Sequence, residues 1–403
     1  MLKVLVIGAG PAGIMAALTA VNDNKVILIE GNNEIGKKLK LTGGGRCNIT
    51  NYRDINEFFD KIVTNSKFLY SALYSFTNED LLNFFRKGNL EYKVEFDNDY
   101  KVYTKNDKAD DVIELLKNDL ERNKVKILYN TKVKDLIISD NIIRGVITDN
   151  NEKIYADKVV IATGGKSYPT TGSDGSMYGI LEKHGHKINP QYPALIPLVI
   201  KEGFIKELQG ISMKEVVIKA KIKNKRIEKE GDMIFTHFGI SGPAVLKFSS
   251  HINKILDKQN VEIVIDFLKN ISKEELSKII RSNKSKLAIH NLKGYLPSKF
   301  VELIGKRLNI EKIKAADLRK EDEAKLIENI KEMKLTVENT ITIKAAMVTS
   351  GGVNVKEINS STMESKIIKN LYFAGEVIDV DAETGGYNLQ IAFSTGHLAG
   401  KLL

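Results

Sequence analysis

The chain has 403 residues, 42% of them hydrophobic and 28% charged, with a net charge of +10; that is enough apolar material for a substantial core shared between two or three domains. Its single cysteine excludes an intramolecular disulfide and any cysteine-rich metal site, and its six histidines show no ligand spacing, so no metal is expected. The apolar opening run is broken by Gly8, Gly10, Pro11 and Gly13, and no other stretch nears the roughly eighteen apolar residues of a membrane span. A soluble, cytoplasmic protein is expected, with neither signal peptide nor membrane anchor.

In chain order, residues 3–7 form an apolar strand, 13–20 a short apolar helix and 25–30 a second strand, which is a βαβ opening. A helical region over about residues 56–87 and a helix over 109–123 follow. Strands are expected at 126–129, 132–139, 142–148 and 153–155, the middle ones as a meander, and a buried strand over 158–165 ends in glycines. His184 and His186 flank Gly185 at a helix end. Pro190, Pro193 and Pro197 mark a linker, after which the alternation in 215–223 and 261–267 predicts antiparallel strands. From 269 to 334 the pattern turns helical, opened by a capping box of Ser272 and Glu275. A return to strand, a further buried strand over 369–377 and a last helix over 389–402 complete the chain.

The charge is unevenly placed. Residues 269–334 hold 17 Lys and Arg against 10 Asp and Glu, and residues 201–230 hold 9 against 5, so the remainder is close to neutral. Solvated helices in a lysine-rich chain account for such runs; so does a footprint for a polyanion.

Gly8, Gly10 and Gly13 form a G-x-G-x-x-G turn between strand and helix. Gly8 permits the tight turn, Gly10 lets backbone approach a pyrophosphate, and Gly13 lets helix and strand pack closely, while the helix start offers N–H groups to an anion. Glu30, at the end of the second strand, stands where an acid accepts hydrogen bonds from an adenosine ribose. The pattern indicates a dinucleotide without separating NAD from FAD. No second such fingerprint occurs, which leaves one tightly held dinucleotide, with NAD(P)H as a transient visitor.

Five stretches taken together resemble the BaiN-like flavoproteins, the aminoacetone oxidase family of FAD-binding enzymes: VIGAGPAGIMAA, KKLKLTGGGRCNITN, IATGGKSYPTTGSDG, FTHFGISGPAVL and LYFAGEVIDVDAETGGYNLQIAFSTGHLAG. The likeness runs in order over essentially the whole chain. It implies an α/β fold with a Rossmann-type FAD-binding domain, of the two-dinucleotide-binding flavoprotein kind, over residues 1–190 and 346–403. An inserted antiparallel β domain would occupy 191–268 and 335–345, and a basic helical subdomain 269–334. FAD would lie against Pro11 and Ala12 beside the fingerprint glycines, and against Thr42, Gly44, Gly45, Arg46 and Asn48. Val133 and the Ala162, Thr163, Gly164 strand end would complete one side. Gly375, Glu376 and Asp379, then Gly386, Tyr387, Asn388, Leu389 and Gln390, would complete the other.

Within that resemblance, Arg46 adds a fixed cationic fork near the glycines, and Lys38 serves the pyrophosphate or the flavin edge. Glu376 would accept hydrogen bonds from ribityl or ribose hydroxyls, and the helix beginning at residues 385–390 would turn its N–H groups to the flavin ring. Two readings stand for Cys47, an acid that protonates a substrate carbon or a small residue packed under a loop. His237 and Tyr387 are candidates for substrate handling, and Tyr168 a weaker one; a structural histidine is the alternative for His237.

The resemblance brings three substrates: a conjugated C=C in a steroid-like molecule, an amine, and a uridine of large-subunit ribosomal RNA. The basic segments 201–230 and 269–334 favour RNA, with phosphates gripped away from the flavin. Against it, the helical insertion holds only Tyr295 and Phe300 as aromatics for stacking on bases.

Overall fold

The computed structural model describes residues 1–223 and 225–403. They form two compact units, Met1–Pro193 with Ile343–Leu403, and Ala194–Thr342.

The first unit is built on a five-stranded parallel sheet in the order Leu371–Phe373, Lys158–Ile161, Lys3–Ile7, Lys25–Ile29, Lys126–Leu128. Strands buried on both faces need continuous apolar runs, and Val4, Leu5, Val6, Val159, Val160 and Leu371 are all fully buried. Covering one face, helix Pro11–Ala20 crosses the C-terminal helix Tyr387–Gly400. Glycine sets their spacing: a Cβ on Gly396 would stand 2.2 Å from the Ala12 carbonyl oxygen, and one on Gly400 2.5 Å from that of Ala16. The two ends of the chain are thereby locked backbone to backbone.

Smaller sheets surround this core. The meander Val133–Ser139, Ile142–Thr148, Lys153–Tyr155 is antiparallel as its alternation predicts. The helical region expected over 56–87 is interrupted. Helix Ile55–Phe58 gives way to strand Ile62–Thr64, whose β-branched residues pair with Asp381–Ala382, before helices Tyr70–Ser75 and Asn78–Lys87. The second break is local chemistry, a complete capping box between Thr77 and Asp80 that restarts the helix.

The second unit is a closed six-stranded barrel, in the order Leu198–Ile200, Gly239–Ser241, Lys225–Phe235, Ser212–Ile222, Val261–Asp266, Met333–Thr340. Helix Pro243–Leu256, which the sequence pattern did not reveal, starts where Gly242 takes φ +102 and Pro243 occupies the first helical position. Helices Lys273–Ile280, Ser298–Arg307 and Lys320–Lys331 fill residues 269–334, the first opened by the Ser272–Glu275 capping box. Leu276, Phe300 and Ile330 from these helices share one buried cluster with Phe235, Ile263 and Leu335 of the barrel, so the helices pack on the barrel and have no separate core.

Candidate active site

The carboxyl ends of the parallel strands carry the glycine-rich turns, the place where open α/β sheets bind ligands. Gly8 has φ +98, and a Cβ there would lie 2.5 Å from the Ala162 carbonyl oxygen; one on Gly13 would lie 1.9 Å from that of Gly8. Gly10 differs, since a Cβ on it would meet nothing within 4 Å. Two of the glycines are therefore demanded by the fold and the third faces open space. Helix Pro11–Ala20 begins at Gly10 with no side-chain cap, which leaves its first N–H groups for an anion. The Ala9 N–H donates to Glu30 Oε2 at 2.8 Å, while the backbone and side-chain N–H groups of Asn32 donate to Glu30 Oε1 at 2.8 and 2.7 Å. The acid is thus oriented at its strand end before any ligand arrives. Val133 follows Thr131, whose N–H bonds the Glu30 carbonyl at 3.0 Å.

Ala162 ends the neighbouring strand by donating to Ile7 at 2.9 Å, and beyond Thr163 the chain turns at Gly164 (φ +72), against the buried Ser173 hydroxyl. That hydroxyl has no hydrogen-bond partner among the described residues. Next comes an ion-pair cluster from four segments. Lys38 Nζ donates to Ser167 Oγ at 2.6 Å and to Glu376 Oε2 at 2.7 Å; Glu376 Oε1 accepts from Ser167 Oγ at 3.0 Å and from the Thr349 N–H at 2.8 Å. Lys38 is thus engaged with a carboxylate, and Glu376 has protein donors on both oxygens. Ser167 and Thr349 escaped notice because a lone serine and threonine carry no pattern.

Arg46 is engaged in the same way. Its Nε donates to Asp107 at 2.8 Å, it pairs with Glu95, and its guanidinium stacks 3.9 Å over the Tyr103 ring. Two acids and an aromatic face thus hold this cation in place. The turn before it carries Gly43, Gly44 and Gly45 at φ +59, +68 and +90, with open space around Gly44 and Gly45. Thr42 Oγ1 closes that turn on the Leu39 carbonyl at 2.7 Å.

Cys47 is 1% exposed. Burial pushes its thiol up to about 12, only partly offset by a hydrogen bond with Thr42, so it remains protonated within the core.

At the C-terminal helix, Gly386 takes φ +95, and a Cβ there would lie 2.3 Å from the Thr50 carbonyl. Asn48 holds this turn: its amide nitrogen donates to the Thr50 carbonyl at 2.9 Å and its oxygen accepts the Gly386 N–H at 2.9 Å. Asn388 accepts from the Ala382 N–H at 2.9 Å and donates to the Ala382 carbonyl at 2.8 Å. Gln390, fully buried, takes the Thr50 hydroxyl at 2.7 Å and donates to Phe76 and Ser394. These side chains shape the helix start, which has no side-chain cap of its own. Tyr387 itself is 1% exposed, with its ring edge-on to Phe58 at 4.9 Å; burial raises its phenol. Asp379 is buried with Oδ2 held by Asn189 at 2.7 Å and Oδ1 unpartnered, and the Gly375 N–H donates to Thr395 Oγ1 at 2.9 Å.

His237 lies in the second unit, exposed in the turn before Gly239–Ser241 with its ring edge-on to Phe238. Tyr168 takes φ +52 and donates its N–H to the Lys344 carbonyl at 3.2 Å. No helix among the described residues is long and apolar enough to cross a membrane.

The open Gly10 turn, the uncapped helix, the oriented Glu30 and the partnerless Ser173 hydroxyl fit the diphosphate and ribose of FAD. Comparisons with known proteins agree. The HI0933-like protein Rossmann domain family matches residues 2–402. The chain is 33% identical over 412 residues to a 3-dehydro-bile acid delta(4,6)-reductase of Clostridium scindens, covering 99% of this chain and 98% of that one. It is 32% identical over 399 residues to a ribosomal RNA dihydrouridine synthase of Haemophilus influenzae, covering 98% and 96%. Among solved structures, the open conformation of a flavocytochrome c3 fumarate reductase shares the fold at TM-score 0.51 and 15% identity, over 100% of this chain and 78% of that one. A 3-ketosteroid delta1-dehydrogenase from Sterolibacterium denitrificans does so at 0.51 and 12%, over 100% and 99%. The chain belongs to the HI0933-like family of FAD-binding Rossmann flavoproteins and is a flavin-dependent oxidoreductase.

Proposed function

We propose that the protein reduces a conjugated C=C, and that the bond is that of a uridine in large-subunit ribosomal RNA, which becomes dihydrouridine. The observation that carries the choice of RNA is charge placement: two stretches of the second unit hold the whole net positive charge of the chain. A phosphate backbone rewards such a surface, and a small metabolite does not. The ribosomal RNA dihydrouridine synthases among the relatives support the reading.

Bound FAD would supply the hydride chemistry: with NAD(P)H as reductant, one alkene carbon would gain a hydride and the other a proton from water. The chain's own part is holding and orienting. The turn at Gly8, Gly10 and Gly13 with the start of helix Pro11–Ala20 would take the diphosphate, and Glu30 a ribose hydroxyl. The N–H groups at Tyr387–Gly400 would face the ring carbonyl, favouring the electron-rich reduced form through the helix dipole. Asp379 Oδ1, buried and unpartnered, would accept from a cofactor hydroxyl. We assign Cys47 and Tyr387 to packing: both are 1% exposed, and an acid must reach the carbon it protonates. His237, exposed in the second unit, is kept as a substrate contact.

A reductase of steroid-like enones is the second reading, favoured by the bile acid reductase among the relatives. The test is direct. FAD-loaded protein, NAD(P)H and unmodified large-subunit ribosomal RNA are incubated, and nucleosides are analysed by mass spectrometry. One new dihydrouridine per RNA is expected. Unaltered RNA, together with NAD(P)H consumption driven by a steroid enone, would replace RNA with the metabolite.

A further inference from the structure

The basic character of the second unit resolves into two unlike parts. Along the hairpin Ser212–Ile222 and Lys225–Phe235, cations alternate with acids: Lys214 pairs with Asp232, Lys219 and Arg226 share Glu228, and Lys269 from the neighbouring segment pairs with Glu215 and Glu230. Residues 281–320 differ. They hold 11 Lys and Arg against three acids, Glu302, Glu311 and Asp317. Five further acids of the insertion, Glu274, Glu275, Glu321, Asp322 and Glu323, lie in the first turns of helices Lys273–Ile280 and Lys320–Lys331, where they complement the helix dipoles.

Backbone pairing gathers the free cations. The Ala288 N–H donates to Ile313 at 2.9 Å, that of Ala315 to Lys286 at 2.9 Å and that of Ala316 to Lys284 at 3.2 Å, with Leu287 bridged to Lys314. This short antiparallel ladder displays Lys284, Lys286, Lys312 and Lys314, all exposed and without an acidic partner among the described residues. Arg281, itself paired with Glu323, anchors its far strand, donating to the Ala315 and Leu318 carbonyls at 3.3 and 3.0 Å. Asn291 then ties the next turn to the ladder, donating to Ile280 and Asn283 at 2.8 and 3.1 Å. Just beyond it, Gly294 at φ +104 turns out Tyr295, which is 50% exposed. Among the described residues of this unit it is the one large apolar side chain so exposed.

Unpaired lysines spaced along a ladder and a presented aromatic ring are the two components of a surface that tracks a nucleic-acid backbone and stacks on an unpaired base. We propose that residues 281–320 form an RNA-docking surface in which Lys284, Lys286, Lys312 and Lys314 hold phosphates and Tyr295 stacks on a splayed base. The proposal rests on the reading of ribosomal RNA as substrate and adds the place where that RNA is held.

The experiment uses the full-length FAD-loaded protein and transcribed large-subunit ribosomal RNA, with binding measured over a salt series. One variant carries Lys284→Glu, Lys286→Glu, Lys312→Glu and Lys314→Glu. A control of equal charge change carries Lys67→Glu, Lys87→Glu, Lys117→Glu and Lys124→Glu, exposed lysines of the first unit. The ladder variant should bind at least about tenfold more weakly, and its slope of log affinity against log salt should fall by about 3, near 0.7–0.9 for each phosphate no longer neutralised. FAD content and melting temperature should hold. Tyr295→Ala should weaken binding while leaving the slope unchanged. Binding by the ladder variant as tight as the control's would overturn the surface and leave the RNA reading standing. Unchanged affinity in Tyr295→Ala would remove the stacking role. Wild-type protein that ignores RNA at every salt concentration, or prefers anionic vesicles, would end both the reading and the surface.

Discussion

Lys38 and Glu376 stand 338 positions apart in the chain and meet at 2.7 Å from Nζ to Oε2, with Ser167 bonded to both. The pair fastens the segment before the Gly43–Gly45 turn to the one following strand Leu371–Phe373. Both side chains are about one-fifth exposed, so solvent screens their attraction and the coupling should be near 1 kcal/mol. Lys38→Met leaves Glu376 facing a partly buried site without its cation, and Glu376→Gln leaves the ammonium likewise. Each single variant should melt lower and hold FAD more weakly. The double variant should recover part of the loss, as a thermal double-mutant cycle with flavin absorbance would show; strictly additive losses would remove the coupling.

The fingerprint glycines make separable predictions. A methyl group on Gly13 would overlap the Gly8 carbonyl oxygen at 1.9 Å, so Gly13→Ala must push helix Pro11–Ala20 off the sheet, and overpacking of that kind costs about 1–3 kcal/mol. Gly10→Ala meets no protein atom within 4 Å. That variant should fold and melt like the parent yet lose FAD affinity by about tenfold or more, since its methyl would enter the space proposed for the diphosphate. Flavin retained per chain after desalting, set beside the melting temperature, distinguishes the two.

For Cys47, a thiol near 12 in a position 1% exposed should ignore a thiol-specific disulfide reagent at pH 8 and react fully once the protein is unfolded. Cys47→Ala removes one buried sulfur and should cost about 1–2 kcal/mol while leaving turnover near the parent's. Cys47 also sits at φ +55, where a Cβ is strained, so Cys47→Gly regains part of what the lost packing takes away. A fall in turnover of a hundredfold with FAD fully bound would restore the acid role.

How much of this could be seen in the sequence depended on the range of the interaction. The roles of Gly8, Gly10 and Gly13 are local, set by a turn and the strand and helix beside it, and so is the capping box at Ser272. The meander over 133–155 was legible because alternation reports burial on one face. By contrast, Arg46 announces a cation but not that Glu95 and Asp107, about fifty and sixty residues later, will claim it. Nothing near Lys38 points to Glu376. Helix Pro243–Leu256 went unseen because its opening Gly-Pro reads as a turn, although proline is well suited to the first helical position. Gly396 and Gly400 lie inside a helix, where glycine ordinarily lowers stability; only the crossing with Ala12 and Ala16 explains them.

His397 supplies a prediction about acid stability. Its ring stacks on Phe76 at 4.6 Å and its Nδ1 lies 3.2 Å from Thr19 Oγ1. Burial first, then the Lys401 ammonium, pull its pKa down from 6.5 to about 4, against a weaker opposing pull from Asp80. It occupies the last turn of helix Tyr387–Gly400, where the dipole would favour a cation, and the loss of hydration outweighs that. The folded form therefore resists the proton that the unfolded chain accepts. Above about pH 6.5 neither state is protonated and the residue makes stability no steeper with pH. Between 6.5 and 4 the unfolded chain binds the proton first, so stability falls with pH, by about 2 kcal/mol once partial exposure is discounted. His397→Phe keeps an aromatic ring on Phe76 and removes the titration. Denaturant unfolding at pH 7.5 and pH 4.5 should show a smaller drop for the variant than for the parent; equal drops would mean that the imidazole is already charged, or freely hydrated, in the native protein.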